Sequence, residues 1–235
     1  MTQQNLPTCA LCPFKLSERI CRHPKGKGPD NCPTLHHAQL KREAMTVLND
    51  PAVFKFARQA SLQEASGYTN RDQGYAQIRP IKPRIVETIE FARRMGCTRL
   101  GLVFCIGLRR EAETVHRILE TNGFEVVSVL CKVGRVPKSE LDLEQKNHID
   151  QQIETESMCN PILQAFILNQ EKTELNILLG LCVGHDSLLI KYAEGMCTVL
   201  AVKDRLMGHN PLAAVYTYDS SSRYLKNPVQ EEPGE

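Results

Sequence analysis

Three apolar runs that each close on a cysteine limit what this chain can fold into more than any other feature. Residues 100–105, 124–131 and 174–182 are rich in Val, Ile and Leu with little polar alternation, as expected of strands buried on both faces. They end on Cys105, Cys131 and Cys182; a fourth run, 197–203, ends on Lys203. Between them lie stretches with apolar residues at helical spacing. These are 108–121, stopped by Asn122-Gly123, then 161–171, capped by Asn160, and 187–192. A further helix runs from Arg84 to Gly96, a good C-terminal glycine, and a last one covers 211–216. The alternation predicts an α/β fold: a three-layer Rossmann-like or flavodoxin-like domain on a parallel sheet.

In an open parallel sheet the strands point one way, and sites form beyond their carboxyl ends. Cys105, Cys131 and Cys182 are therefore expected at one edge, and Cys159, just before the 161–171 helix, is placed to join them. Gly107, Gly134 and Gly184 follow these cysteines closely and allow tight turns that expose N–H groups. The helix starts that come next favour thiolates and an anionic sulfur cluster. A cysteine can also serve as a small buried hydrophobe, which explains one such residue easily and four poorly. Cys97 and Cys197 precede or begin strands, so they are expected toward the other edge in structural roles.

The first 34 residues form a unit of a different kind. Cys9, Cys12, Cys21 and Cys32 sit among Pro7, Pro13, Pro24, Gly26, Gly28, Pro29 and Pro33, with little apolar periodicity. A segment that cannot bury a core needs a staple, and four thiolates around a zinc ion or an iron–sulfur cluster supply one. His23, His36 and His37 are possible substitutes for a cysteine ligand. The organisation expected is a cysteine knuckle over 1–34, a helical linker over 35–83, the α/β domain over 84–218 and an extended or disordered tail over 219–235. Within the linker, helices are expected over 35–48 and 52–65, with Pro51 in the first turn of the second and Asp50 or Asn49 as its cap. Residues 66–83 read as a loop, and 134–157 as a loop or an exposed helix.

Composition narrows the partners. The formal charge of the 235 residues is +2, and Lys and Arg are interspersed with acids, so no polyanion-binding stripe and no nucleic-acid partner are expected. No apolar run nears the ~18–20 residues of a membrane span, and the first residues do not resemble a signal peptide. The chain is therefore expected in the cytoplasm, away from membranes, where ten cysteines mean metal ligation more often than disulfides. Around the proposed cleft, Arg109, Lys132, His185, Lys203, Asp204 and His209 are candidates for anion binding or proton handling.

Five segments carry a family resemblance: Phe104-Cys105-Ile106-Gly107-Leu108-Arg109, Cys131-Lys132-Val133-Gly134, Met158-Cys159-Asn160-Pro161, Cys182-Val183-Gly184-His185-Asp186-Ser187, and Lys203-Asp204-Arg205 with Gly208-His209-Asn210-Pro211. With them the chain resembles the cysteine-rich bacterial and archaeal family known as domain of unknown function 1847, often labelled metal-binding. The resemblance covers nearly the whole chain and implies a place in anaerobic or metal-handling metabolism, without supplying a reaction.

The expected function is that of an iron–sulfur protein. Cys105, Cys131, Cys159 and Cys182 would hold a [4Fe–4S] cluster, and Cys9, Cys12, Cys21 and Cys32 a second [4Fe–4S] cluster or zinc. Electron transfer or small-molecule redox or sulfur chemistry follows, with a redox partner protein or a small anionic substrate. One alternative is a zinc-stabilised ligand-binding or regulatory module. Another is an enzyme with Cys105 or Cys182 as nucleophile.

Overall fold

The computed structural model describes residues 6–229. The chain forms two compact units, one up to Leu62 and one from Gln63 onward.

The first unit opens with 3₁₀ turns at Cys9–Leu11 and Leu16–Glu18 and an isolated bridge between Arg19 and Lys27. With so few apolar contacts available, side chains brace the backbone. Arg19 donates from Nε to the Phe14 carbonyl at 2.9 Å and from Nη2 to the Cys12 carbonyl at 3.2 Å, and the Asn31 amide reaches the Leu6 carbonyl at 2.7 Å. Helices α1 (Pro33–His36), α2 (Ala38–Val47) and α3 (Pro51–Ser66) follow. The single helix expected over 35–48 is thus two, parted at His37, whose backbone (φ −110°, ψ 43°) leaves the helical region. Pro51 does open α3, and the Asp50 carboxylate caps it by accepting from the N–H groups of Ala52 at 2.7 Å and Val53 at 3.2 Å.

The second unit begins with a minimal antiparallel pair, β1 (Tyr68–Thr69) and β2 (Arg79–Pro80), in the stretch read from sequence as loop. Then come α4 (Arg84–Met95), β3 (Arg99–Phe104), α5 (Arg109–Thr121), β4 (Glu125–Leu130), α6 (Pro161–Gln170), β5 (Leu175–Leu179), α7 (His185–Tyr192), β6 (Met196–Ala201) and α8 (Leu212–Tyr216). Gly96, at φ 81°, ends α4 as expected. Strands β3 to β6 form one parallel sheet in the order β4-β3-β5-β6.

Alternate strand residues enter two apolar clusters. Leu100, Leu102, Leu175 and Ile177 pack with Ile89 and Ala92 of α4 and with Ala112 and Leu119 of α5. Val103, Val129 and Leu178 pack with Ala165 and Leu168 of α6 and Leu189 of α7. Helices therefore bury both sets of strand side chains, which is why β5 is buried at every residue and reads as an unbroken apolar run.

Two further expectations need correction. The third strand stops at Leu179 rather than reaching Cys182. Its register against β6 shifts at Leu178/Leu179, and Gly180 then turns the chain at φ 66°. Glycine is favoured there, since the backbone is left-handed and a Cβ would stand 1.9 Å from Leu108 Cδ1. The tail is not simply extended: Arg223–Lys226 forms a 3₁₀ turn, and Ser222 is buried with its hydroxyl 2.7 Å from that of Thr217. The part of the tail beyond residue 229 lies outside the described residues. Residues 134–157 hold two 3₁₀ turns, Lys138–Leu141 and Gln145–Asn147, above a bridge between Pro137 and Ser157.

Candidate functional site: two groups of cysteines

Parallel strands deliver Cys105 and Cys131 to the same edge. Cys105 follows β3 and donates its N–H to the Leu179 carbonyl at the end of β5; Cys131 follows β4 and donates its own to the Phe104 carbonyl. Cys182 lies three residues past β5, where its carbonyl accepts from His185 and Asp186 at 3.0 and 3.2 Å as α7 begins. Cys159 arrives differently. The N–H of Asn160 donates to the Cys131 carbonyl at 2.8 Å, which stitches this segment to the end of β4. Asn160 then caps α6 by accepting from the Leu163 N–H at 3.0 Å.

The four thiols differ in character. Cys105 and Cys131 are buried, Cys159 and Cys182 half-buried. Cys131 and Cys159 pack in one cluster, close enough for each thiol to shift the ionisation of the other. That contact lowers the Cys159 thiol to about 7, with help from the Lys132 charge and against burial and the neighbouring Cys182 and Cys105. The same contact, together with burial, pushes the Cys131 thiol well up, although the Ile106 N–H donates to Cys131 Sγ at 3.3 Å. The pair thus favours one proton shared between two sulfurs, carried on Cys131.

Cations surround this edge. Lys132 is fixed by the Ser157 carbonyl and by the Glu156 carboxylate at 3.4 Å. Burial opposes ionisation of Glu156, but the Ile149 N–H, Lys138 and Lys132 outweigh it and hold its carboxyl below the usual range. The ammonium of Lys203 lies over Gly107: a Cβ on that glycine would stand 2.9 Å from Lys203 Nζ and 3.9 Å from Cys105 Sγ. Arg205, not singled out from sequence, donates to Cys182 Sγ at 3.1 Å. The signal available for it was its place just past β6, at the same sheet edge as Lys203.

The remaining candidates divide. Gly134 and Gly184 turn the chain at φ 83° and 85°. His185 opens α7, half-buried. Arg109 is exposed at the start of α5, along a groove it shares with Phe104, Glu113, His116 and Ser128. Asp204 and His209 serve their own loop. The Asp204 carboxylate accepts from Leu206 and Met207, and the Asp204 N–H donates to His209 Nδ1 at 3.2 Å. Cys197 sits apart in β6, its thiol pushed up by burial, and Cys97 packs against the α4–α5 core.

In the first unit, Cys9, Cys12, Cys21 and Cys32 all line one cavity of about 40 Å³, more than the ~10–15 Å³ that admits a water. His23, His36 and His37 are not among its walls. Gly28 is part of the enclosure: a Cβ there would stand 2.9 Å from both Cβ and Sγ of Cys32.

As donor sets, both groups offer the four thiols that tetrahedral zinc or a cubane takes. Among the described residues, no three His, Cys, Asp or Glu side chains already stand together at metal-holding spacing. At the sheet edge the sulfurs are instead engaged with one another, with Ile106 and with Arg205. Among the described residues no helix is long and apolar enough to cross a membrane.

Residues 32–200 match the family described as Protein of unknown function (DUF1847). The matched span includes Cys32 and all four sheet-edge cysteines and begins after Cys9, Cys12 and Cys21. The chain is also 46% identical over 136 residues to the uncharacterized protein MJ0455 of Methanocaldococcus jannaschii, which covers 58% of this chain and 68% of that protein. No solved structure matches.

Proposed function

The chain belongs to the DUF1847 family, and we propose that it binds a thiophilic metal centre through Cys105, Cys131, Cys159 and Cys182. The centre we favour is a [4Fe–4S] cluster in a three-layer, flavodoxin-like domain. The strand order, renumbered within the sheet, is 2-1-3-4, which begins the flavodoxin-like order and sets the switch point between β3 and β5. The observation that carries the reading is that four cysteines come from three connections, and that the Cys159 thiol among them is lowered to about 7. Cys105 follows β3, Cys131 and Cys159 stand at the two ends of the β4–α6 connection, and Cys182 follows β5. Ligation requires thiolates, so a thiol already lowered reduces the proton cost of binding.

When bound, such a cluster supplies one-electron chemistry. The chain's own contributions would be these. Ile106 donates its N–H to a ligand sulfur, which raises the reduction potential, and Lys132, Lys203 and Arg205 offset negative charge. Cys131 and Cys159 would both have to give up their proton to hold such a centre. The knuckle cysteines, all four lining one cavity of about 40 Å³, suit a structural zinc ion.

Anaerobic purification followed by visible absorption and iron, sulfide and zinc analysis tests the assignment. The expected result is a brown protein with roughly four iron and four sulfide per chain, plus zinc that is lost in Cys9→Ser and retained in Cys159→Ser. A colourless protein carrying zinc alone would overturn the cluster. One observation favours a second reading, that of a thiol nucleophile. The lowered thiol is Cys159, not the Cys105 or Cys182 selected from sequence. Selective alkylation of Cys159 in metal-free protein, with turnover that survives chelation, would establish it.

A further inference from the structure

We infer that Cys159 and Cys131 form a thiol–disulfide exchange pair, in which Cys159 receives a small-molecule disulfide and Cys131 resolves it. Three features of the geometry support this. The two side chains belong to the same packed cluster, Cys131 within it and Cys159 against it. The Asn160 N–H on the Cys131 carbonyl at 2.8 Å ties the residue after Cys159 directly to Cys131, which keeps the two cysteines side by side. Their accessibilities are unequal: Cys159 is half-buried, whereas Cys131 is 3% exposed. An incoming disulfide therefore meets Cys159 first, and Cys131 is reached only from within.

The step balances without a further reagent. Cys159 sulfur attacks one sulfur of the disulfide RSSR; a Cys159–S–S–R bond forms, the S–S bond of RSSR breaks, and one RSH leaves. Cys131 sulfur then attacks Cys159 Sγ, forming Cys131–Cys159 and releasing the second RSH. Two protein thiols are oxidised and one disulfide is reduced to two thiols.

The exchange goes beyond metal binding and stands without it. Only its consequence rests on that reading: a Cys131–Cys159 bond removes two of four ligands, so oxidation and metal loading exclude each other. The test treats the full-length, chelator-stripped and reduced chain with oxidised glutathione, then counts free thiols and maps cross-linked tryptic peptides. The expected product lacks two thiols and carries the Cys131–Cys159 link. Cys131→Ala stops at a glutathione adduct on Cys159, and Cys159→Ser yields neither. A link dominated by other cysteines, or a full two-thiol loss in Cys159→Ser, overturns the pair. Because the wild-type map decides by itself, a variant that fails to fold does not rescue the idea. If the link forms but no metal ever loads, the exchange stands and the metal assignment falls; if metal loads and glutathione gives no link, the reverse holds.

Discussion

Cys159 owes its low-lying thiol first to its neighbour Cys131 and then to Lys132. In metal-free protein its alkylation by iodoacetamide should rise with pH around a midpoint near 7, because the thiolate is the reacting form. Cys131→Ala removes that neighbour, destabilises the thiolate and should move that midpoint up toward the ~8.5 of a free thiol; peptide-resolved labelling across pH measures both. Gly28 offers a different residue-level test. In Gly28→Ala the new methyl group meets Cys32, so zinc affinity of the knuckle should fall sharply while sheet-edge metal is unchanged. Individual cysteines were legible in the sequence because strand ends can be read from apolar runs. The Cys131–Cys159 contact was not, since it depends on a backbone hydrogen bond between segments 29 positions apart, Cys131 and Asn160. Arg205 was missed for a related reason: a side chain that crosses to another loop leaves no periodic trace.

At the scale of elements, α6 and the segment before it carry the site. Asn160 caps the helix with its side chain and holds Cys131 with its N–H. Asn160→Ala should cost about 1 kcal/mol of stability by losing the cap, read as a lowered denaturation midpoint, while the backbone bond remains. Gly180 sets where α5 begins relative to β5. A Cβ at φ 66° against Leu108 combines backbone strain with overpacking, so Gly180→Ala should cost about 1–3 kcal/mol, measured in the same way. Helices α3, α4 and α6 were legible to within a residue or two because the caps Asp50, Gly96 and Asn160 announce them, whereas the break at His37 between α1 and α2 was not. The end of β5 was not. Gly180 lies inside an apolar run that continues through Leu181, and periodicity alone cannot distinguish a turn that tucks Leu181 back into the core.

For the molecule as a whole, metal should act as a ligand of the folded state. Binding at a free concentration 100 times the dissociation constant adds about 2.7 kcal/mol, so unfolding temperature should rise on loading and fall on chelation, with separate transitions where the two cysteine groups load independently. Thermal scans of apo, zinc-loaded and reconstituted protein check this. The parallel arrangement was legible because β3 and β5 are apolar on both faces; the strand order and its switch point were not, since neither is encoded in any single run of residues.

The excursion between Cys131 and Cys159 is closed at its base, where Lys132 is bound to Ser157 and Pro137 bridges to the same residue. The spacing of the two sulfurs is therefore insulated from whatever happens at the tip. Chain length added at the exposed residues 144–146 should leave the two thiols in register, as in a hairpin loop whose stem is already zipped.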